Sequence, residues 1–337
     1  MPKVSIAIPT RNRSAYLKLA VASALGQSLS SIEVVVSDNA SDDNTQEVLR
    51  GIQDQRLVCI RQDRPLTMAE NWNCCLQHAT GEYFLLLSDD DFLETDAIQE
   101  MAAVFEQGSL AGNIPAEQIG IVHCATAIVD AEGRLQETLR PHAPISAGCE
   151  IVESFLRRRF TLFPCAVLLR RNDLVNLGGY PGDIGTAVDS YVWMSLVLER
   201  GYAAGVPEVR ANYRKHPGSL TNSIRVGAIG EWIDAAETLI RRITQKIIEQ
   251  GRLDEARAIR QAGDYYVSSV VSGMIVQMYA QEKNRRRAWS EYFRRRQCFS
   301  SISGRAWMIA GMLRILLPTE TDLAAKEIAR KLLWSRS

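Results

Sequence analysis

Several signatures of familiar protein classes are absent from this 337-residue sequence. The first apolar run is followed by PTRNRSAY instead of a glycine-rich dinucleotide-binding turn, and no GxxxxGK[ST] loop occurs, so neither a dehydrogenase nor a P-loop enzyme is expected. The seven cysteines lack CxxC spacing and lie mostly in apolar runs, which favours reduced thiols over a disulfide framework. No window reaches the roughly 20 apolar residues of a transmembrane helix.

Charge of one sign is also lacking overall, but the charges are unevenly placed. The chain has 39 Lys/Arg and 39 Asp/Glu residues. From Thr221 onward there are 20 Lys/Arg and 12 Asp/Glu residues, which leaves 19 Lys/Arg and 27 Asp/Glu residues in the first 220. The acidic front argues against a nucleic-acid groove, and the basic end is compatible with an anionic membrane surface. MPKVSIAIPTRNR has no signal-type apolar core, so we expect a cytoplasmic protein.

Apolar strand-like runs alternate with helical patterns through the first hundred residues. This order predicts an α/β fold with a mostly parallel central sheet flanked by helices. The expected strands are Val4–Ile8, Ile32–Val36, Leu57–Ile60 and Tyr83–Leu87, and the helices between them start near Ser14, Asp43 and Met68.

The pattern changes twice farther along the chain. Residues 119 to 170 are less regular, with strand candidates at Ile119–His123 and Ala166–Leu169 and a basic helical piece at Phe155–Phe160 between them. Beyond about Arg225 the pattern is helical almost throughout. We therefore predict a domain over residues 1–222 and a helical C-terminal region over 223–337.

Three of the predicted strands end in polar residues, which places polar chemistry at one edge of the sheet because ligands bind beyond the carboxyl ends of parallel strands. The last of these ends is LLLSDDDFL, where Asp89, Asp90 and Asp91 stand side by side after a buried run. Adjacent carboxylates repel, and burying them is costly without a compensating cation or donors. The motif predicts either a divalent metal site or a solvated turn with Thr95 or Asp96 capping the next helix.

The sequence resembles the inverting glycosyltransferases of family 2, which have the nucleotide-sugar-binding GT-A fold. The resemblance spans about residues 4 to 222 and implies transfer of a sugar from a nucleoside-diphosphate donor to an acceptor hydroxyl, in the assembly of cell-surface polysaccharide or another glycan. The motifs that carry it, in the family's order, are VSIAIPTRNR, IEVVVSDNASDDNT, ATGEYFLLLSDDDFL, VDSYVWMSLVLERG and YRKHPGSLT.

The resemblance implies a nucleotide pocket in the first half of the chain. Pro9, Thr10 and Arg13 would line the nucleoside, and Asp38 would accept from a uracil N–H with Asp42 nearby, which favours a UDP-sugar. A carboxylate can accept a hydrogen bond from an imide N–H, and a guanidinium can donate two hydrogen bonds to a phosphate. The alternatives are that Asp38 closes an Asx-type turn and that Arg13 is a solvated helix-start arginine.

The acidic motif departs from the family's usual Asp-x-Asp, so two registers are open. If Ser88 stands where the first aspartate usually sits, Asp90 is the metal ligand; if the motif begins at Asp89, the ligand is Asp91. The preceding apolar run favours Asp90, with Asp89 on the nucleotide side. Oxygen ligands beside a diphosphate suit Mg²⁺ or Mn²⁺, which would neutralise the leaving group.

Other positions take their predicted roles from the same resemblance. His216 would be a second metal or phosphate contact, although a lone histidine is often structural. Arg214 and Ser219 would face the phosphates from the same loop. Asn71, together with Trp72, resembles a stretch that approaches the donor sugar, the alternative being a buried Trp that anchors a helix.

Inversion needs a base opposite the leaving diphosphate, and Asp189 matches the family's acidic residue at a helix start. It precedes the amphipathic segment Ser190–Arg200 and follows a glycine-containing loop. The alternative is that Asp189 is only an N-cap. Asp183 is the competing candidate for the base.

The C-terminal region admits two interpretations. Arginines at 285–287 and 294–296 flank aromatic residues, and Trp307–Leu317 is a short apolar run, which indicates peripheral contact with the inner face of a membrane or contact between copies of the chain. An ordinary packed helix is the alternative. A lipid-linked or saccharide acceptor would fit membrane attachment.

Two other functional classes are compatible with paired carboxylates after a nucleotide-binding sheet. A nucleotidyltransferase usually carries a glycine-rich, lysine-containing loop after its first strand, which PTRNRSAY does not provide. A non-catalytic sugar-nucleotide-binding module would keep Asp38 and Asp90 but would not need Asp189.

Overall fold

The computed structural model of the protein describes residues 2–108, 113–219, 229–299 and 302–316. The chain divides into two compact units. The first comprises Met1–Phe155 and Arg159–Asn222, and the second comprises Leu156–Arg158 and Ser223–Ser337.

The first hundred residues form the predicted alternation of strands and helices. The four strands pair in parallel in the order β3-β2-β1-β4, because a helix follows each of β1, β2 and β3 and returns the chain to the same end of the sheet. The strands are β1 (Val4–Thr10), β2 (Ile32–Asp38), β3 (Leu57–Arg61) and β4 (Tyr83–Leu86). The helices are α1 (Ser14–Leu25), α2 (Thr45–Arg50) and α3 (Met68–His78).

The rest of the first unit extends this sheet in mixed orientation, to the order β3-β2-β1-β4-β9-β6-β10-β5. β9 is antiparallel to both of its neighbours, while β10 runs parallel to β6. The further strands are β5 (Phe92–Leu93), β6 (Ile119–Val129), β7 (Leu135–Leu139), β8 (Ile145–Ala147), β9 (Val167–Arg170) and β10 (Tyr202–Arg214). The further helices are α4 (Ala97–Gln107), α5 (Gly148–Leu156), α6 (Arg171–Asn176) and α7 (Val188–Arg200).

One strand pair brings distant segments to the same place. β5 directly follows the three aspartates and pairs antiparallel with the end of β10, with Phe92 opposite Asn212 and Leu93 opposite Ala211. The chain just after β10 therefore lies beside the acidic motif.

Apolar side chains cover both faces of the sheet. In β1, Ile6 and Ile8 pack in the core formed with α1 and α4, while Ala7 points to the core formed with α3 and α7, as the alternation of a buried strand requires. The backbone of α7 approaches β6 so closely that a Cβ at Gly120 would stand 2.4 Å from the carbonyl oxygen of Leu196. The sheet edge that holds the site is therefore supported from both sides.

Two helix positions differ from the sequence prediction. The helix expected at Phe155–Phe160 is instead α5, which ends at Leu156, and Arg158 adopts a left-handed φ of 55° that is incompatible with continuing it. Helix α2 begins at Thr45 rather than near Asp43, because the Asp43 carboxylate accepts from the Thr45 backbone N–H at 3.0 Å and ends the preceding loop.

The second unit is helical over its described residues, as predicted. Its helices are α8 (Ile229–Glu249), α9 (Leu253–Glu282), α10 (Arg285–Arg294) and α11 (Ile302–Leu316). α11 packs on α9, where Ser272 Oγ donates to the Trp307 carbonyl at 2.9 Å and Tyr265 contacts the Trp307 ring edge to face. The apolar run beginning at Trp307 is thus a packed helix as far as Leu316, and Leu317 lies outside the described residues. Within the described ranges, no helix is long and apolar enough to cross a membrane.

Candidate active site

The ends of β1, β2 and β4 meet at one edge of the sheet. Thr10 and Asp38 are partners in the parallel register of β1 and β2, and the Leu87 N–H continues the pairing of β4 with β1 by donating to the Ala7 carbonyl at 2.8 Å. The Thr10 hydroxyl then donates to Asp89 Oδ2 at 2.7 Å. The acidic motif therefore lies at the polar edge that the sequence predicted.

The three adjacent carboxylates have different partners. Asp89 and Asp90 both accept from Arg13 Nη1, at 3.0 and 2.8 Å, and the same Oδ2 of Asp90 contacts His216 Nε2 at 2.9 Å. Asp91 accepts from the Arg214 backbone N–H at 2.9 Å through Oδ1. Among the described residues its buried Oδ2 has no well-formed hydrogen bond, although the Cys165 thiol lies beside this carboxylate. Donors from two separate segments, the loop after β1 and the end of β10, thus offset the repulsion within the motif.

Burial affects the protonation of this motif. Burial raises the pKa of Asp89 to about 6, with Arg13 opposing the shift and Asp90 adding to it. The pKa of Asp91 is raised well above its usual range, mainly by burial and secondly by the negative charge of Asp90. A divalent cation here would be stabilised by carboxylates whose charge the protein only partly compensates.

The segment after β10 forms the opposite side of the motif. Arg214 is buried, with Nε donating to the Asp90 carbonyl and Nη1 donating to the Ala131 carbonyl, both at 2.9 Å. Its guanidinium also lies over the rings of Tyr16 and Phe92, 5.2 Å from each centroid. These contacts fix Arg214 through carbonyl oxygens and aromatic faces.

His216 and Ser219 complete this side. The His216 ring lies 4.6 Å from the ring of Tyr16, centroid to centroid. The Ser219 hydroxyl is buried, and no hydrogen-bond partner for it lies among the residues that the structure describes. Tyr16 was not among the predicted site residues; the only signal for it in the sequence is its position three residues after Arg13, in the first turn of α1.

The predicted nucleoside contacts lie at the neighbouring strand end. Asp38 is fully buried, and its Oδ1 accepts from the Ser41 N–H at 2.9 Å, which is an Asx-type turn. Its Oδ2 accepts from Gln46 Nε2 at 2.6 Å and from Arg61 Nη1 at 3.4 Å. An incoming imide N–H would have to share these oxygens with donors that the protein already supplies.

Hydrogen bonds join the loops after β1 and β2, and each of these loops contains one residue with a strained backbone. Asn12 and Ala40 have left-handed φ values of 56° and 52°. The Asn12 N–H donates to Ser41 Oγ at 3.0 Å, and the exposed Asp42 donates its N–H to Asn12 Oδ1 at 2.9 Å. The half-buried Pro9 precedes this pair of loops, which presents a fixed surface at the edge of the site.

Asn71 and Trp72, both in α3, have different environments. Asn71 is buried, and its Oδ1 accepts from Ser37 Oγ at 2.7 Å, so in this structure its amide holds α3 to β2. The half-buried Trp72 meets Tyr180 edge to face, with centroids 5.1 Å apart. Asn73 pins the Tyr180 backbone from the same helix, donating to its carbonyl and accepting from its N–H at 2.8 Å each.

Asp189 lies in the first turn of α7, after Val188, and the N-cap residue is Ala187. The N-cap alternative for Asp189 is therefore wrong. Its Oδ1 accepts from the Ser190 N–H at 2.5 Å, and burial raises the pKa of Asp189 to about 6. The pKa of Tyr180 is also raised, mainly by burial and secondly by the negative charge of Asp189. The two side chains are therefore close enough to interact electrostatically. The competing candidate, Asp183, is exposed.

The residues of the acidic motif fit Mg²⁺ or Mn²⁺ chemically. The Asp90 and Asp91 carboxylates are oxygen ligands of the type that Mg²⁺ and Mn²⁺ take, and the His216 imidazole beside Asp90 would be an additional nitrogen ligand. In the described parts of the chain, no three His, Cys, Asp or Glu side chains converge as a ready-made metal site. The cation on Asp89 and Asp90 is instead the guanidinium of Arg13.

Comparison with known proteins agrees with this geometry. The family model described as Glycosyl transferase family 2 matches residues 5–161, which hold the parallel strands and the acidic motif. Over its full length the chain also resembles the crystal structure of S. aureus TarS 1-349 in complex with UDP-GlcNAc, with a TM-score of 0.63 at 17% identity, covering 99% of this chain and 91% of that one. Residues 5–161 therefore match glycosyl transferase family 2, and the fold is the GT-A fold.

A second solved structure and two curated relatives extend the comparison. The Pyrobaculum calidifontis mannosyltransferase PcManGT in complex with GDP-Man and Mn²⁺ has a TM-score of 0.51 at 18% identity, covering 100% of this chain and 88% of that one. The Escherichia coli UDP-Glc:alpha-D-GlcNAc-diphosphoundecaprenol beta-1,3-glucosyltransferase WfaP is 33% identical over 32% of this chain, and the match spans 42% of its own length. The Campylobacter jejuni GalNAc(5)-diNAcBac-PP-undecaprenol beta-1,3-glucosyltransferase is 33% identical over 32% of this chain and 36% of its own length. The chain thus matches about two fifths of the length of these two relatives.

Proposed function

We propose that the protein is an inverting, metal-assisted glycosyltransferase that moves a sugar from a nucleoside-diphosphate donor to a hydroxyl of a lipid-linked saccharide. The observation that carries this proposal is the convergence of Arg13, three aspartates and His216 at the polar edge of a sheet whose sequence matches glycosyl transferase family 2. Two curated relatives named for undecaprenol-linked substrates support the acceptor class. A UDP-sugar is the favoured donor, as in the name of the first relative.

On the donor side, the chain provides separate groups for metal, phosphate and base. Asp90 and His216 would hold Mg²⁺ or Mn²⁺, with Asp91 as the alternative ligand, and the bound ion would neutralise the departing diphosphate. Arg13, Arg214 and the buried hydroxyl of Ser219 are the donors for phosphate oxygens. Their cationic and polar groups hold the leaving group in place.

The nucleoside end of the donor is assigned to the loops after β1 and β2. Pro9, Thr10 and Asp42 line the proposed nucleoside end with Asp38, whose carboxylate would accept from the uracil imide by exchanging one of its present donors. Asn71 contributes by positioning β2, since its amide is hydrogen bonded to Ser37. Asp89 is likewise a positioning group between Thr10 and Arg13.

The proposed chemical step is a single displacement at the anomeric carbon. The acceptor oxygen forms its bond to that carbon as the bond to the diphosphate oxygen breaks, and Asp189 takes the acceptor's proton. Its raised pKa of about 6 suits this role, because the carboxylate is ionised at neutral pH and still binds a proton more tightly than an ordinary aspartate. Tyr180, whose pKa the Asp189 charge helps to raise, meets Trp72 edge to face.

A donor screen tests the function directly. We expect one nucleotide sugar, with Mn²⁺ and a membrane-lipid extract as the acceptor source, to release free nucleoside diphosphate at a rate above that without extract. Release of pyrophosphate from a nucleoside triphosphate and a sugar phosphate would identify a nucleotidyltransferase. Tight binding of UDP without release from any donor would identify a non-catalytic sugar-nucleotide-binding module.

For the second unit, we propose peripheral binding to an anionic membrane surface, which would keep the protein at the inner face of the membrane where a lipid-linked acceptor is presented. Residues 285–299 contain six arginines and one glutamate. In α10 and the turn after it, Arg286, Phe293 and Arg296 are exposed, with Phe293 at 62%, while Tyr292 is fully buried. Arginines beside an exposed aromatic ring match the charge and depth of a lipid headgroup layer.

Co-sedimentation with vesicles tests this surface. The full chain should bind vesicles containing phosphatidylglycerol at low salt and should release at high salt, because the attraction is screened. The variant carrying Arg286→Gln, Phe293→Ala and Arg296→Gln should bind about tenfold or more weakly, since each arginine near an anionic surface contributes ~1 kcal/mol. Arg260→Gln, an exposed arginine on α9, is the control. Binding that the triple variant does not change would contradict the proposal, and a concentration-dependent mass that the variant abolishes would assign the surface to contact between copies.

A further inference from the structure

Arg13 occupies an unusual position among the charged groups of the active site. Its Nη1 donates to both Asp89 and Asp90, and its Nη2 donates to the Gly218 carbonyl at 2.9 Å. Of the arginines and lysines in the described ranges, Arg13 alone forms ion pairs with these two carboxylates. In this structure Arg13 is therefore the counter-cation of the motif predicted to bind a divalent metal.

The two arginines of the site differ in how firmly they are held. Arg214 is 4% exposed and binds backbone carbonyls, so its removal from the motif would break several buried contacts. The Arg13 side chain is 27% exposed, and Arg13 is the residue just before α1, so its guanidinium borders solvent where that of Arg214 does not. Arg13 is the cation that can move.

Arg13 and a divalent metal compete for the same oxygen. Asp90 Oδ2 already receives both Arg13 Nη1 and His216 Nε2, so a second cation on this carboxylate meets a like charge in a mostly buried site. A diphosphate removes the conflict. Its oxygens match the planar fork of the Arg13 guanidinium, and they supply the additional negative charge that the second cation, the metal, requires. Arg13 would then leave the carboxylates for the phosphate.

We propose that Arg13 is a built-in counter-cation that excludes the divalent metal from the acidic motif until a nucleoside diphosphate draws its guanidinium away, so that metal and nucleotide bind cooperatively. This inference rests on the proposed function for the identity of the nucleotide. The movement of Arg13 would also affect the loop after β10. When the guanidinium turns away, it releases the carbonyl of Gly218, which is two residues from His216. Arg13 thus couples the nucleotide to both sides of the metal ligands.

Binding of Mn²⁺ alone tests the proposal without turnover. Free Mn²⁺ is measured by electron paramagnetic resonance during titration of the full chain with MnCl₂, first without nucleotide and then with saturating UDP. In the unaltered protein, Mn²⁺ affinity should rise about tenfold or more with UDP, and UDP affinity should rise by the same factor with Mn²⁺. In Arg13→Gln, affinity for Mn²⁺ alone should rise by about tenfold or more, because a like charge has been removed from a mostly buried site, and the factor gained with UDP should shrink.

Two matched variants separate this role from general charge effects. Arg11→Gln removes an exposed arginine from the same loop and should bind Mn²⁺ as the unaltered protein does. Arg13→Lys keeps the charge and should leave affinity for Mn²⁺ alone low. Circular dichroism confirms that each variant is folded, and the measurements with and without UDP on the unaltered protein need no variant.

Equal Mn²⁺ affinity with and without UDP in the unaltered protein, or unchanged affinity for Mn²⁺ alone in folded Arg13→Gln, would overturn the proposal. The proposed function fails differently, by absence of product from every donor. Cooperative Mn²⁺ and UDP binding that Arg13→Gln weakens, without sugar transfer, would uphold the role of Arg13 and reject the transferase.

Discussion

Asp189→Asn is expected to lower the rate of sugar transfer by ~10²–10⁴-fold, the usual contribution of a general base. The amide has the size of the carboxyl group and can still accept the hydrogen bond that Asp189 Oδ1 receives from the Ser190 N–H, so α7 should keep its first turn. Only the ability to take the acceptor's proton is lost. The measurement is kcat with the donor found by the screen, together with calorimetric titration of UDP and Mn²⁺, which should be nearly unchanged.

Asp183→Asn is the matched control, since Asp183 is an exposed aspartate six residues earlier in the chain. It should leave kcat within a few-fold of the unaltered protein. The pH profile adds a second test: because the pKa of Asp189 is raised to about 6 in the folded protein, the base is protonated below that pH and the rate should fall as pH falls through about 6. Asp189→Asn with kcat close to the parent would remove Asp189 as the base and make Asp183 the next candidate.

Asp90→Asn should abolish the dependence of UDP binding on Mn²⁺ and lower turnover by more than about 100-fold, because even partners that only orient metal ligands contribute about 10–100-fold. The variant keeps the shape of the side chain but removes the charge that Arg13 and His216 share through Oδ2. Calorimetry with and without Mn²⁺ measures the binding effect, and release of nucleoside diphosphate measures turnover.

Asp91→Asn distinguishes the two registers of the acidic motif. If Asp90 is the ligand, Asp91→Asn should reduce Mn²⁺-dependent UDP binding less than Asp90→Asn does, since the Arg214 N–H can still donate to the amide oxygen. The reverse order would assign the metal to Asp91. Equal UDP affinity with and without Mn²⁺ in the unaltered protein, with no effect of either variant, would reject the metal assignment altogether.

The sequence predicted the architecture of the first hundred residues because the signal there is local. Alternating apolar runs and amphipathic helices can form a parallel sheet with helices on its faces, and in such a sheet all strands end at one edge. The prediction that polar residues after β1, β2 and β4 meet there is confirmed for Thr10 and Asp89, which are hydrogen bonded. The prediction of a helix at Phe155–Phe160 was wrong, because a basic helical pattern in the sequence does not reveal that the backbone of Arg158 is left-handed.

By itself, the sequence therefore determined the fold class, the helical character of the described part of the second unit, and which strand ends carry polar side chains. Only the tertiary structure decided how the charges are paired. Asp90 meets Arg13 from 77 positions earlier in the chain and His216 from 126 positions later, and Asp38 turns out to be occupied by donors from its own loop and from β3. The physical reason is that periodicity reports the burial of single elements, whereas the partner of a charge depends on which elements pair: here, β5 beside the end of β10.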